Sequence, residues 1–198
     1  MTTHTPVPAA PVLTTERLTL RPLLPTDVDE LHAALQDPGI QRWIDVPVPY
    51  PRSAAEEWAL NSSPAGWADG SEWNVTIRRT EDGVLVGAIG VSRHSEFRHE
   101  VGYWTVAGHR GQGHMRAALD AVARWAFTEG GVVRLIWRAD VDNTGSRILA
   151  EKVGFRLEGV RRAGMEHRGV LRDCHAAALL PEDLGLPSRL PRDTTPKS

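Results

Sequence analysis

The stretch that most constrains this chain runs from Glu100 to Ala139, where two apolar segments enclose a glycine-rich turn and an amphipathic run. Glu100 to Val106 reads as a strand. Met115, Leu119, Val122 and Ala126 then recur at spacings of four, three and four, which places them on one helix face. Gly130-Gly131 stops that helix. Val132 to Ala139 follows, with Val133, Leu135 and Trp137 on one side, and is apolar enough for a central strand. A strand–helix–strand crossover joins parallel neighbours, so a sheet that contains it has at least one parallel pair.

The flanking segments add strands of the other kind. Arg17 to Arg21 alternates before Pro22 and makes a short first strand. Thr26 can cap a helix through Val28, Leu31 and Leu35 that Pro38-Gly39 ends, and Ser53-Ala-Ala-Glu56 has the form of a capping box opening a second helix. The runs 73–78, 84–91 and 100–106 suggest an antiparallel meander, the second of them following Asp82-Gly83. Asn143 or Thr144 caps a short helix through Ile148, Leu149 and Val153 that Gly154 ends, and strands near 155–160 and 170–180 complete the chain. The expected class is α/β with a mixed sheet, in the order β-α-α-β-β-β-α-β-α-β-β. A single domain is expected over 13–186, between a flexible arm at 1–12 and a disordered tail at 187–198.

Composition narrows the function. The formal charge of −2 lacks the basic field of a nucleic-acid binder. The longest apolar stretch, Val84 to Val91, falls far short of the ~20 residues that cross a bilayer, so no membrane partner is expected. The single cysteine, Cys174, cannot close an internal disulfide and reads as a buried inert thiol in a reducing, cytoplasmic setting. His94 and His99 are not helically spaced and lack companion ligands, so no metal is expected.

The chemistry concentrates in His109-Arg-Gly-Gln-Gly-His-Met115. A helix start presents unpaired amides and the positive end of the helix dipole, and glycines let a phosphate approach closely, so an anionic ligand is implied. Arg110 would add a charged donor. The alternative is an ordinary glycine turn with a solvated arginine. The Gly-Lys-Ser/Thr ending of a nucleotide P-loop is absent, and the spacing is wrong for the dinucleotide fingerprint.

Arg110-x-x-Gly113-x-Met115 resembles the coenzyme A pyrophosphate loop of the GNAT acetyltransferase superfamily, with Met115 in a place usually held by a small residue. Further segments fall in matching order. Thr15-Glu-Arg-Leu-Thr-Leu-Arg-Pro22 with Asp27 is similar to the opening of RimJ/RimL-type enzymes, which modify protein N-terminal amines. Gly102-Tyr-Trp104 resembles that subfamily's fourth strand, and Asn143-Thr-Gly-Ser146 with Lys152-Val-Gly-Phe155 its Asn-x-x-Ser helix. Arg172-Asp173 followed by Leu179-Leu-Pro-Glu-Asp183 resembles its last strand, so the likeness spans roughly residues 13–184.

The resemblance implies the GNAT fold and direct acetyl transfer from acetyl-CoA to an amine, held where the fourth and fifth strands splay apart. Trp104, Thr105, Val106, Arg110, Gly111, Gln112, Gly113, His114, Met115, Asn143, Ser146 and Lys152 are the implied coenzyme contacts. A backbone amide near Thr105 or Val106 is the expected oxyanion donor. Deprotonating an α-amine of pKa ~7.8 at pH 7 costs about 1 kcal/mol, against about 4.6 for a lysine of pKa ~10.4, so an N-terminal amine needs only a weak base. Glu100 is the expected base, acting through water, with a solvated edge carboxylate as its alternative. Many GNAT enzymes place a tyrosine donor near the fourth helix. Here Tyr50 and Tyr103 are the only tyrosines, so that role falls to Ser146, whose alternative is a local helix cap.

Trp43 and Trp73 fall where the family builds its acceptor pocket and are taken with Glu100 as substrate contacts, core packing being the alternative. Three functional readings stand. The first is acetylation of a peptide or protein N-terminus. The second is transfer to a small-molecule amine, or from succinyl-CoA, whose longer acyl carboxylate the arginines near 161, 162 and 168 would meet. The third is a non-catalytic CoA-binding module, which would dispense with Glu100 and Ser146. The expected assembly is a monomer or homodimer.

Overall fold

The structure, a computed structural model, describes residues 8–188. The expected arm and tail lie largely outside those residues. One sheet holds eight strands among the described residues, ordered β1-β2-β3-β4-β5-β6-β8-β7. In chain order the strands are β1 (Leu13–Thr14), β2 (Leu18–Pro22), β3 (Glu72–Arg79), β4 (Leu85–Arg93), β5 (Arg98–Thr105), β6 (Arg134–Asp140), β7 (Arg156–His167) and β8 (Val170–Leu179). The helices are α1 (Val28–Ala34), α2 (Pro38–Gln41), α3 (Arg52–Glu57), α4 (Ser63–Asp69), α5 (His114–Thr128) and α6 (Thr144–Val153). The mixed sheet is present, and the expected order is met with two additions: β1 ahead of the first strand, and the four helices α1–α4 where two were expected. No helix among the described residues is long and apolar enough to cross a membrane.

Strand β5 pairs parallel with β6 only over Arg98–Glu100 against Arg134–Ile136, and every other strand pair is antiparallel. Past Glu100 and Ile136 the two strands part, and the rest of β5 faces an opening. Strand alternation sends His99, Val101 and Tyr103 to one face and Glu100, Gly102 and Trp104 to the other. On the first face α5 buries Met115, Leu119, Val122 and Ala126 against Val75, Ile89, Val101 and Leu135. On the second, Leu31, Leu35, Tyr50 and Ala55 form a smaller core with Leu85, against which Trp104 packs.

Local differences from the sequence reading have identifiable causes. Pro38 ends α1 but also opens α2 as its first residue, with Asp37 Oδ1 accepting the Gly39 N–H at 2.8 Å. The expected capping box does not form: Ser53 lies inside α3, and Glu56 pairs instead with Arg52. From α3 the chain stays helical through a wide turn at Trp58–Ser62 into α4, which Gly70 ends at φ 70°. Strand β7 runs on to His167, still paired with β8, rather than stopping near 160; irregularities at Leu157/Gly159 and Arg161/Met165 break the two-residue alternation that marks a strand in the sequence.

Candidate active site

A cleft of about 820 Å³ opens between the glycine-rich turn, α2 and the start of α6. Gly111 and Gly113 sit at φ 76° and 79°, and a Cβ on either would meet nothing within 4 Å, so glycine is needed there for backbone shape rather than for space. Gly113 is the N-cap of α5 and has no side chain to cap it. The N–H groups of residues 111–116 therefore find no acceptor among the described residues. They converge with the positive end of a 15-residue helix, which makes a ready anion cradle.

The side chains around the cradle divide the work differently from expectation. Arg110 is not a free phosphate donor. Its guanidinium pairs with Asp37 and its Nε donates to the Thr105 carbonyl at 3.2 Å, so it ties the turn to α2. Gln112 turns back on itself, donating to the Gly108 carbonyl at 2.8 Å, and does not line the cleft. Arg17, Arg116 and Lys152, which have no carboxylate partner among the described residues, border an adjoining hollow. His114 is buried with its Nδ1 unpartnered, and burial together with Arg17 lowers its pKa, so the ring is neutral at pH 7.

Further along the cleft, Asn143 Oδ1 caps α6 by accepting the Ser146 N–H at 3.2 Å. Ser146 Oγ accepts from Trp137 Nε1 and donates to Tyr103 Oη, each at 3.1 Å, and Tyr103 Oη donates to the Ser146 carbonyl at 3.1 Å. Burial pushes the Tyr103 phenol up to about 12, so it keeps its proton at any working pH. Tyr103, to which the sequence reading gave no role, is thus Ser146's partner. Its two-residue spacing from Val101 on β5 was the available signal.

Glu100 sits where β5 and β6 part. It accepts three bonds from Arg138 at 2.7–3.0 Å and stands 2.9 Å from His94 Nε2. It does not line the cleft with Ser146, because it is still paired in register with Ile136 and lies short of the point where the strands part. Arg138 was not foreseen at all. Val106 also lies outside the cleft, and its N–H is taken by the Val86 carbonyl at 2.8 Å, which corrects its expected place as oxyanion donor. Alternation turns the Tyr103 and Thr105 amides toward the opening instead.

Trp43 lines the cleft, with Arg42 stacked 4.5 Å from its ring centroid. Trp73 does not: it is 4% exposed, packed on Trp125 and His99 with ring centroids 5.1 Å away from each, and belongs to the core. The remaining expected contacts, Trp104, Thr105, Gly111, Gly113, His114, Met115, Asn143, Ser146 and Lys152, all border the cleft. Cys174 is buried, and burial pushes its thiol up, which keeps it protonated.

Comparison with known proteins matches this geometry to a family. The Bacillus licheniformis N-acetyltransferase p20 is 24% identical over 169 residues, covering 85% of this chain and 95% of its own. The ribosomal-protein-serine acetyltransferase of Escherichia coli is 35% identical over 77 residues, 38% of this chain and 43% of that one. The structure of Mycobacterium smegmatis RimJ in complex with CoA-disulfide superposes with a TM-score of 0.77 at 24% identity, covering 85% of this chain and 84% of that one. The profile described as an acetyltransferase (GNAT) domain matches residues 17–156, from the edge of β2 to the start of β7 and so across the cradle, the parted strands and α6, and the chain belongs to that acetyltransferase family.

Proposed function

We propose that this acetyltransferase uses acetyl-CoA and acts on the α-amine of a peptide or protein N-terminus. The observation that carries the proposal is the unbroken row of unpartnered amides at 111–116, opening into the same cleft as Ser146 beside the parted strands. That cradle fits a diphosphate, and the neighbouring Arg17, Arg116 and Lys152 supply charge for further phosphate. The apolar wall of Trp104, Met115, Ile148 and Leu149 fits a pantetheine arm leading inward. The neighbour RimJ is a CoA-disulfide complex, and the E. coli relative is a ribosomal-protein acetyltransferase, which supports both the donor and the acceptor class.

Bound there, acetyl-CoA supplies an activated acetyl thioester. The chain's own groups do the rest. Glu100, fixed by Arg138, is the acceptor for the amine's proton, taken through water because the carboxylate lies one residue back from the opening. The Tyr103 and Thr105 amides face the place where negative charge builds on the acetyl oxygen. Ser146 Oγ, held by the Trp137 N–H, turns its hydroxyl proton from Tyr103 Oη to the departing thiolate, which needs a donor.

The test follows release of free CoA thiol from acetyl-CoA with a panel of peptides, their N-terminally blocked counterparts, and small amines. Peptides with free N-termini should drive release, and blocked peptides carrying only lysine amines should not. Release with small amines alone, or only from succinyl-CoA, would overturn the proposal.

A further inference from the structure

We propose that the acceptor entrance selects chains that are acidic close behind the reacting amine. This rests on the peptide reading above and narrows it. The β7–β8 hairpin arches over the acceptor face. Its bulged stretch meets Arg138 through the Gly164 carbonyl at 3.4 Å, and at its turn Arg168 Nη2 donates to the Gln41 carbonyl at the end of α2, at 2.9 Å. The arch therefore spans from the Glu100–Arg138 pair to the wall that carries Trp43.

Four exposed arginines lie on the segments that make up this arch and its facing wall: Arg161 and Arg162 on the bulge, Arg168 on the turn and Arg42 beside the cleft. Among the described residues none has a carboxylate within 4.0 Å, whereas Arg21, Arg78, Arg134, Arg138 and Arg172 in the surrounding sheet are each paired. The carboxylates on the same segments are Asp45, Glu158, Glu166 and Asp173, of which Glu158 is paired with Arg134 and Asp173 is engaged by the Ala163 N–H at 2.8 Å. Positive charge is thus in excess at a concave opening, where the field concentrates anions. Arg161 stands opposite Cys174, and Cys174 opposite Asp140 of β6, so Arg161 is two strand spacings, about 10 Å, from the parted strands. An extended peptide covers that distance in roughly three residues.

Three peptides of one length and one first residue, carrying two Asp, two Gln or two Lys within positions two to four, separate the possibilities. Turnover is read as kcat/KM at saturating acetyl-CoA. Binding is read without coenzyme, by anisotropy of a C-terminal label. The acidic peptide should exceed the neutral one by about threefold to tenfold in both measurements, at the ~0.2–1 kcal/mol of an exposed ion pair for each charge, and the lysine peptide should rank last. The preference should shrink as salt rises from 50 to 500 mM, and R161E/R162E should reverse it. Equal handling of the three peptides, or a preference that the reversal leaves intact, overturns this inference and spares the peptide reading. Turnover of small amines with none of any peptide overturns both.

Discussion

The two faces of the sheet build their halves of the site by different means. On the α5 side the ligand-facing groups are neighbours in sequence: six consecutive amides at 111–116, then Asn143 and Ser146 within one helical turn. On the acceptor side the pairings are distant, with Arg138 and Glu100 separated by 38 residues and Arg168 and Gln41 by 127. β5 serves both, placing Tyr103 beside Ser146 and Glu100 beside Arg138. A ligand part gripped by main-chain amides needs only glycines at the right spacing, whereas one gripped by side chains needs the tertiary fold to bring those side chains together.

The change that should separate the halves most sharply is Gly113→Asp. A residue with a Cβ at φ 79° costs about 1–2 kcal/mol, and a carboxylate would stand among amides arranged for an anion. CoA affinity in calorimetry should fall about 1000-fold, or ~4 kcal/mol. Peptide binding without coenzyme should hold. Unchanged CoA affinity would remove the cradle from the site.

Next in size is an acid effect on the packed face. His99 stacks on Trp73 with its Nδ1 unpartnered, and burial lowers its pKa to about 4. The unfolded chain binds that proton near pH 6.5 and the folded one only near 4, so the neutral ring's full contribution is present above 6.5 and is lost as pH falls through that window. The loss reaches about 3 kcal/mol by pH 4, by the conversion of ~1.4 kcal/mol per unit. His99→Phe keeps the stack without the proton. Denaturant unfolding at pH 7 and pH 4 should show wild type losing about that much more than the variant, and parallel losses would contradict it.

How far the sequence disclosed this site follows the same division. The cradle, the Asn143 cap and the amphipathic α5 depend on local spacing, and all were readable. Glu100 was readable as a residue but not as an ion pair, because nothing near it in sequence points to Arg138. Trp73 and Trp43 look alike in sequence. Only the stacking on Trp125 and His99 separates the core tryptophan from the cleft one. Arg110 fits the motif, yet its pairing with Asp37 depends on where α2 comes to rest. Both strands of the hairpin were readable, but the length of β7 beyond residue 160 was not, because its bulges interrupt the alternation by which a strand is recognised.

On the acceptor side, Glu100→Gln should lower kcat about 100-fold while CoA affinity stays within twofold, since general-base catalysis contributes ~10²–10⁴. Ser146→Ala should act on kcat in the same direction. Here the Tyr103 hydroxyl remains nearby, so the drop should be smaller, and Ser146→Ala combined with Tyr103→Phe should cost more than either alone. Strict additivity of the two would show that they do not share one hydrogen-bond chain.

The smallest expected effect tests the arch directly. Arg168→Ala removes one hydrogen bond between the hairpin turn and the end of α2. A bond from a charged donor contributes about 1.5–3 kcal/mol when well buried, and less at this half-exposed site. The arch remains held at its other end by Arg138 and Gly164, so the entrance should loosen rather than open. KM for peptide should rise about threefold with kcat and CoA affinity unchanged. Arg110→Ala, which cuts the tie between the cradle and α2, should instead raise KM for both peptide and acetyl-CoA. If Arg168→Ala also weakened CoA, the two halves would be coupled through α2, and the division between them would fail at that helix.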